Sequence, residues 1–187
     1  MIDITTLSIV LVILAAFCTP FIYSHQKKKQ HENQLVSSFM TKAKEHQLHI
    51  NSFELWRRAY VIGLDKDLHQ LLYVKFQPEM QVKKVDLKKV KKVNVVNEHR
   101  IIGPDREKAI DKLWLLLIYE DPKLSDTYLE FYNADENIDL VGEPLLIQKW
   151  QNLINETLDD FQKNSSEKQF AVKSSNAPRV ELDTGGH

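Results

Sequence analysis

The feature that most constrains this chain is an apolar stretch, Leu7 to Tyr23, that carries no charged residue. As an α-helix it would span roughly 26 Å at about 1.5 Å per residue. Adding residues 4–6 brings the length to roughly the 30 Å thickness of the hydrocarbon core of a bilayer. In lipid, one isolated segment must satisfy its own backbone hydrogen bonds, so we expect a helix. The sequence predicts a transmembrane anchor over residues 1–26.

The residues on either side of this stretch predict its orientation. Lys27, Lys28 and Lys29 follow it, whereas Asp3 is the only charged side chain before it. Because basic residues stay on the cytoplasmic side, the N-terminus is expected outside and the rest of the chain in the cytoplasm. The prediction is a single-pass protein of the inner cell membrane.

Three other interpretations of the stretch stay open. A cleaved signal peptide needs a basic region before the apolar core, and here the lysines lie on the other side. A lipoprotein site at Cys18 needs a small residue before it, but Phe17 is bulky. The third is a core helix of a soluble protein, against which the length and the lack of charge argue.

Composition sets limits on the remainder of the chain. The 187 residues leave room for one domain of ordinary size after the anchor. The formal net charge of -1 gives no overall attraction to nucleic acid, and no nucleic acid is expected as a partner. Cys18 is the only cysteine, so no intramolecular disulfide can form. The five glycines form no glycine-rich phosphate loop.

Residues 27–50 are predicted to form a juxtamembrane linker and an amphipathic helix that ends near Gln47. Leu35, Phe39, Ala43 and Leu48 recur at close to helical spacing. We expect this apolar side to pack on the following domain; a helix on the membrane surface is the alternative.

Residues 51–162 are predicted to form one αβ domain with about six strands. A change to period two and many β-branched residues favour strands, with a hairpin around the turn Asp65–Asp67. The predicted strands are 56–64, 68–76, 81–87, 90–97, 112–120 and 127–133, and residues 98–112 are expected to be a polar connection.

A helix is predicted from Pro144 to Phe161, since proline is favourable at an early helical position. Its apolar stripe, at helical spacing, consists of Leu146, Trp150, Leu153, Ile154, Leu158 and Phe161. Residues 163–187 are rich in polar residues and are predicted to be a disordered tail.

This order of elements predicts an α+β fold. Strands at hairpin spacing indicate an antiparallel sheet, which must cover one face, and the C-terminal helix has a matching stripe. A bent sheet or partly open barrel with such a helix resembles the pleckstrin-homology-like superfold.

A closer resemblance lies in short motifs between residues 54 and 150. They are Glu54-Leu55-Trp56, Tyr60-Val61-Ile62-Gly63-Leu64-Asp65, Glu130-Phe131-Tyr132-Asn133-Ala134-Asp135, Gly142-Glu143 and Lys149-Trp150. With them the chain resembles a family of uncharacterised bacterial single-pass membrane proteins. The resemblance implies one N-terminal helix followed by a small αβ domain, and it implies no chemistry.

The sharpest local feature is a lysine-rich segment interleaved with valine and leucine. Its lysines are Lys83, Lys84, Lys88, Lys89, Lys91 and Lys92. On strands, much of this charge would face one side. One hypothesis is attraction to an anionic membrane surface. The other is a solvated sheet face whose lysines discourage edge pairing, and that explanation is favoured.

No other residues form a recognisable site. His46 and His49 are three apart but have no third ligand at metal spacing, so no metal or cofactor is expected. Trp56, Trp114 and Trp150 are expected to fill the core; an aromatic ligand cage is the alternative. No catalytic residue is identified.

The leading hypothesis is therefore a non-enzymatic, membrane-tethered cytoplasmic module that binds a membrane surface or an unidentified protein. Two alternatives stay open. One is a regulatory or enzymatic domain whose site consists of unremarkable residues. The other is an envelope-assembly factor whose domain lies outside the cytoplasm.

Overall fold

The computed structural model describes residues 27, 29–103 and 106–175. The predicted anchor, residues 1–26, lies outside the described residues. Among the helices that are described, none is long and apolar enough to cross a membrane. The chain divides into two compact units, with the boundary between Val85 and Asp86.

Along the described residues, one helix is followed by seven strands and then by a second long helix. Helix α1 covers residues 29–45. The strands are β1 (Ser52–Trp56), β2 (Tyr60–Asp65), β3 (Gln70–Lys75), β4 (Gln81–Asp86), β5 (Val90–Ile102), β6 (Glu107–Tyr119) and β7 (Thr127–Asn133), and helix α2 is Glu143–Ser175. A short 3₁₀ helix, Leu87–Lys89, lies between β4 and β5.

The first unit contains α1 and a four-stranded sheet in the order β1-β2-β3-β4. Strands β1, β2 and β3 pair antiparallel through two hairpins. The hairpin of β2 and β3 confirms the one predicted around Asp65–Asp67. β1 was not predicted as a separate strand, because the sequence pattern ran unbroken from Trp56 to Leu64.

Helix α1 packs on this sheet with the apolar side that the sequence indicates. Phe39, Ala43 and Leu48 join Val61, Leu72 and Val74 in one buried cluster. Its contacts with β2 and β3 confirm that the helix has an amphipathic face that packs on the sheet.

Gly63 of β2 lies against Phe39 of this cluster. A Cβ atom built there would lie 2.6 Å from Cζ of Phe39 and 2.9 Å from Cγ2 of Ile50. Such contacts are shorter than packed atoms tolerate, so the Phe39 ring occupies the space that a side chain at position 63 would need. A glycine inside a strand commonly marks such a close approach.

The second unit contains a three-stranded antiparallel sheet in the order β5-β6-β7, with α2 against it. β6 is the central strand, as its apolar sequence predicts. Leu113, Leu115 and Leu117 alternate on its buried face. On the neighbouring strands, Val93 pairs with Leu117 and Leu129 pairs with Leu115.

Helix α2 contacts all three strands and the 3₁₀ helix. Ile147, Trp150, Ile154 and Leu158 lie at helical spacing and are buried. Leu146, for which the sequence predicts burial, is only half-buried, and Ile147 is buried in its place. In addition, Gln151 Nε2 donates a hydrogen bond to the carbonyl oxygen of Val93 at 3.0 Å, which joins the helix to β5.

Two further predictions differ from the structure. Residues 98–112, expected to be a polar connection, are mostly strand, because β5 and β6 continue as a hairpin on either side of residues 103–106. Among the described residues, β7 pairs with β6 only from residue 112 onward, so no third strand lies beside the part of the hairpin before residue 112. Polar residues are common there and no period of two appears. Helix α2 also continues past Gln162 to Ser175, where glutamate, lysine, glutamine and alanine are good helix formers.

The approach of Phe39 to Gly63 leads to a stability prediction. Gly63→Ala should lower the free energy of unfolding by about 1–3 kcal/mol, the usual cost of overpacking a core. Urea denaturation of the purified chain measures this change. In a Phe39→Leu background the same substitution should cost less, because the shorter side chain leaves space for the new methyl group. An equal cost in both backgrounds would contradict the packing.

Candidate functional site

Four lysines of the lysine-rich segment lie together in the second unit. Lys88 and Lys89 belong to the 3₁₀ helix, Lys91 and Lys92 belong to the start of β5, and all four are exposed. We call them the four-lysine surface. Lys83 and Lys84 belong to β4 in the first unit, where Lys84 is exposed and Lys83 is half-buried with a contact of its own.

A β-bulge exposes two consecutive lysines on β5. In a regular strand, neighbouring side chains point to opposite faces. The pairing register shifts between Val90 and Lys92, which pair with the consecutive residues Tyr119 and Ile118 of β6. Lys91 is therefore the inserted residue. A bulge of this kind redirects a side chain, so Lys91 and Lys92 are both exposed while Val90 and Val93 on either side are buried.

The 3₁₀ helix that carries the other two lysines is fixed at both of its ends. A carboxylate oxygen of Asp86 accepts a hydrogen bond from the backbone N–H of Lys88 at 3.2 Å, which caps the first turn. At the other end, the backbone N–H of Glu120 donates to the carbonyl oxygen of Lys89 at 3.0 Å. Leu87 is fully buried beneath them. The backbone thus holds the lysines at a defined place next to the end of β6.

The four-lysine surface carries uncompensated charge. Within the part of the chain that the structure describes, none of its four side chains forms an ion pair or a hydrogen bond. The charges are close in sequence and solvated, so they repel one another and attract an anionic partner. In its own sheet β5 is an edge strand. Lysines on an edge strand also oppose pairing with another chain, so both hypotheses are compatible with this placement.

The turn between β1 and β2 is a second candidate that the sequence does not reveal. Arg57 and Arg58 have φ angles of 49° and 48°, and the backbone N–H of Ala59 donates to the carbonyl oxygen of Trp56 at 3.2 Å. Asparagine and glycine are the usual residues for positive φ in a tight hairpin turn, because other residues meet a steric penalty there. Two arginines in succession therefore give no turn signal and place strain at this turn.

A pocket of about 350 Å³ adjoins this turn and is lined by residues of the first unit only: Glu32, Leu55, Trp56, Arg57 and Arg58. Arg58 Nε donates to Glu32 Oε1 at 3.0 Å, and both side chains are roughly half exposed. This ion pair joins the turn to α1. Because it is exposed, its contribution to stability is small.

An aromatic cluster lies next to the same turn. Trp56 stacks on Tyr60 with ring centroids 5.2 Å apart, and its centroid lies 6.3 Å from that of Tyr73. The ammonium group of Lys75 lies 5.5 Å from the centroid of the Tyr60 ring, and all four residues are buried. The geometry is that of a cation–π contact inside a packed core, and the lysine fills the position that a ligand cation would take in an aromatic cage.

The three tryptophans do not all fill the core as expected. Trp56 and Trp150 are buried, whereas Trp114 is half-buried. Its ring and that of Tyr128 form a T-shaped pair with centroids 6.2 Å apart, and its indole N–H donates to Glu98 at 3.2 Å. Trp114 therefore lies on the face of β6 opposite Leu113 and Leu115.

A shallow pocket of about 530 Å³ lies at the end of α1. Its lining residues are Met40, Ala43, Lys44, Gln47, Leu48, His49, Ile50 and Asn51. The neighbouring Asp65 is fully buried, and its carboxylate accepts hydrogen bonds from the backbone N–H groups of His49 at 2.7 Å and Leu68 at 2.9 Å. Both oxygens of Asp65 are thus used to hold two loops together, which is a structural role.

No metal site is found in the described part of the chain: it contains no group of three or more histidine, cysteine, aspartate or glutamate residues that could hold an ion. His46 and His49 are both exposed at the end of α1. Comparison of the chain with protein-family models, curated proteins and solved structures finds no match.

The strained turn gives a prediction about stability. Arg58→Gly should be more stable than Arg58→Ala by about 1 kcal/mol, because glycine adopts positive φ without the steric penalty that alanine meets. Both variants lose the ion pair with Glu32, so they form a matched pair in which only the backbone preference differs. Thermal unfolding of the two proteins measures the difference. Equal stability, or a more stable alanine variant, would show that the turn relaxes away from positive φ.

Proposed function

We propose that this chain is a membrane-tethered interaction module that acts through its surfaces. In this proposal residues 1–26 form the anchor, the N-terminus lies outside, and the two folded units lie in the cytoplasm next to the inner membrane. The charge-free stretch Leu7 to Tyr23 and the lysines that follow it support this topology.

The observation that carries the proposal is the four-lysine surface. Each of its charges would gain about 1 kcal/mol near a surface rich in anionic lipid. A tether raises the local concentration of the folded units at that surface, so even weak attraction would act continuously. Because Leu87, Val90 and Val93 anchor the segment in the core, the lysines would meet the surface without any rearrangement of the backbone.

Within the α+β class, we propose that the fold is pleckstrin-homology-like. Four strands, then three strands, then a C-terminal helix follow one another along the chain, with antiparallel pairing in each sheet. The motifs that resemble the family of bacterial single-pass membrane proteins lie in β1, β2, β7 and α2, and in the loop that joins β7 to α2. The order of elements and the positions of the motifs support the proposed fold only. The proposed interaction depends on the lysines.

The topology can be tested with reporter proteins fused after His187. A reporter that is active only in the cytosol should be active, because the anchor is expected to keep the C-terminal side inside. A reporter that needs export should be inactive, and the apolar stretch Leu7 to Tyr23 should remain in the mature protein. Activity of the exported reporter, or a protein that begins near Ser24, would contradict the proposal and favour the envelope-assembly alternative.

The lysine surface can be tested with vesicles and a chain that begins at Gln30. This chain should co-sediment with vesicles containing anionic lipid, and added salt should weaken the association. Changing Lys88, Lys89, Lys91 and Lys92 together to glutamine should abolish sedimentation. Circular dichroism should be unchanged, because the four side chains are exposed.

The matched control changes four exposed lysines elsewhere in the second unit to glutamine: Lys108, Lys123, Lys149 and Lys163. Its net charge equals that of the first variant, so retained sedimentation would show that position matters as well as charge. If the unsubstituted chain that begins at Gln30 does not bind anionic vesicles even at low salt, the proposed contact with a membrane surface is wrong. Aggregation of the first variant, measured by light scattering, would then identify the lysines as protection of the β5 edge.

A further inference from the structure

The loop between β7 and α2 exposes apolar side chains that the proposed membrane contact does not use. Ile138 is fully exposed, Val141 is 65% exposed and Leu145, in the first turn of α2, is 76% exposed. They follow one another at spacings of three and four residues. Exposed apolar patches mark interaction sites, so these three side chains are a candidate interaction surface.

The first half of this loop has a defined hydrogen-bonded conformation. The side-chain oxygen of Asn133 accepts from the backbone N–H of Asp135 at 3.1 Å. The carbonyl oxygen of Asn133 accepts from the backbone N–H of Asn137 at 3.0 Å, and from its side-chain amide at the same distance. The hydroxyl of Tyr132 donates to the carbonyl oxygen of Asn137 at 3.3 Å. The backbone just before Ile138 is thus tied to the end of β7.

The second half is tied to the start of α2. The backbone N–H of Val141 donates to the carboxylate of Glu143 at 2.7 Å, and Glu143 is itself buried. The backbone N–H groups of Leu145 and Leu146 both donate to the carbonyl oxygen of Gly142. Ile138, Val141 and Leu145 are therefore exposed on a backbone that is held from both ends, as a preformed docking surface requires.

The same segment is acidic. Asp135, Glu136 and Asp139 are exposed between and beside the apolar residues. The sequence has no lysine or arginine between Lys123 and Lys149. Glu136 and Asp139 also make contacts within the chain, and all three carboxylates remain exposed. A partner that covers the apolar side chains comes close to these acids, so positive charge on that partner favours association, mainly through its rate.

We infer that residues 134–145, the acidic–apolar loop, dock a basic amphipathic segment of another protein. The occupant has apolar side chains that cover Ile138, Val141 and Leu145, and lysine or arginine that faces the three acids. The inference rests on the proposed function, because it names the partner class of an interaction module.

Two other occupants fit less well. An anionic bilayer would be repelled by Asp135, Glu136 and Asp139, although it would accept the apolar side chains. A second copy could offer its four-lysine surface, which has the right charge. The apolar residues beneath those lysines, Leu87, Val90 and Val93, are buried, so that surface could not cover the exposed side chains of the loop.

The test uses the full chain in nanodiscs of zwitterionic lipid, with empty nanodiscs as the baseline. The probe is a labelled synthetic helix of leucine and lysine arranged to be amphipathic, and its counterpart has glutamate in place of lysine. Fluorescence anisotropy should show binding of the lysine probe above the baseline and none of the glutamate probe. Ile138→Ser with Val141→Ser and Leu145→Ser should weaken binding at least about tenfold, since the triple change removes the apolar contact area on which the docking depends.

Two control variants make the test specific. Ile101→Ser with Leu124→Ser removes exposed apolar side chains outside the loop and should leave binding unchanged. Asp135→Lys with Glu136→Lys and Asp139→Lys should exchange the preference, so that the glutamate probe binds and the lysine probe does not. Circular dichroism confirms that each variant is folded.

Each other outcome overturns the inference in a recognisable way. If the loop variants bind the lysine probe as the original chain does, the loop is not the site. If the chain without probe self-associates in sedimentation, and the loop serine variant abolishes that, a second copy is the occupant. If the chain binds anionic nanodiscs but not the lysine probe, and the loop serine variant abolishes that binding, lipid is the occupant. If changing the four lysines to glutamine does not alter vesicle sedimentation, the proposed function is wrong. The results with the probes and the loop variants do not depend on that outcome.

Discussion

An antiparallel sheet with an apolar face needs a cover, and each unit of this chain provides one amphipathic helix for that purpose. In the first unit the cover is α1, whose Phe39 ring occupies the space that a side chain at Gly63 would need. In the second unit the cover is α2, whose Trp150 is buried while Gln151 is hydrogen-bonded to β5. The positions of the lysine surface and of the acidic–apolar loop follow from this packing, since the buried residues on either side of each one fix its backbone.

The two candidate surfaces of the second unit show how a folded core presents charge. At the start of β5, the bulge at Lys91 interrupts the alternation of the strand, so that adjacent lysines reach solvent while the valines beside them stay in the core. In the loop before α2, the hydrogen bonds of Asn133 and Glu143 hold apolar side chains out of the core among acids. One surface is basic with its apolar residues hidden, and the other is acidic with its apolar residues exposed. They suit different partners.

In the first unit, the strained turn and the buried charged residues have a structural role. Arg57 and Arg58 adopt positive φ in a turn where glycine or asparagine would be relaxed, and Lys75 lies over the ring of Tyr60. Asp65 is buried, with both carboxylate oxygens engaged by backbone N–H groups. These charged groups are used to hold the turns and the aromatic cluster in place. They explain how the first unit maintains its shape, and they do not by themselves define a ligand.

The sequence alone determined the α+β class, the helix through Phe39 and Ala43, the central strand β6 and the helix that begins near Pro144, because hydrophobic period and turn residues are local signals. The tertiary structure decided the features that these local signals do not predict. The hairpin of β1 and β2 turns through two arginines, which give no turn signal. The hairpin of β5 and β6 over residues 98–103 and 106–112 is rich in polar residues, and its apolar residues do not alternate with a period of two. The lysine-rich segment was visible as composition, but only the register of β5 against β6 shows which lysines share a surface. The exposure of Ile138, Val141 and Leu145 likewise depends on distant packing, because an aliphatic residue in sequence is expected to be buried until the fold leaves it outside.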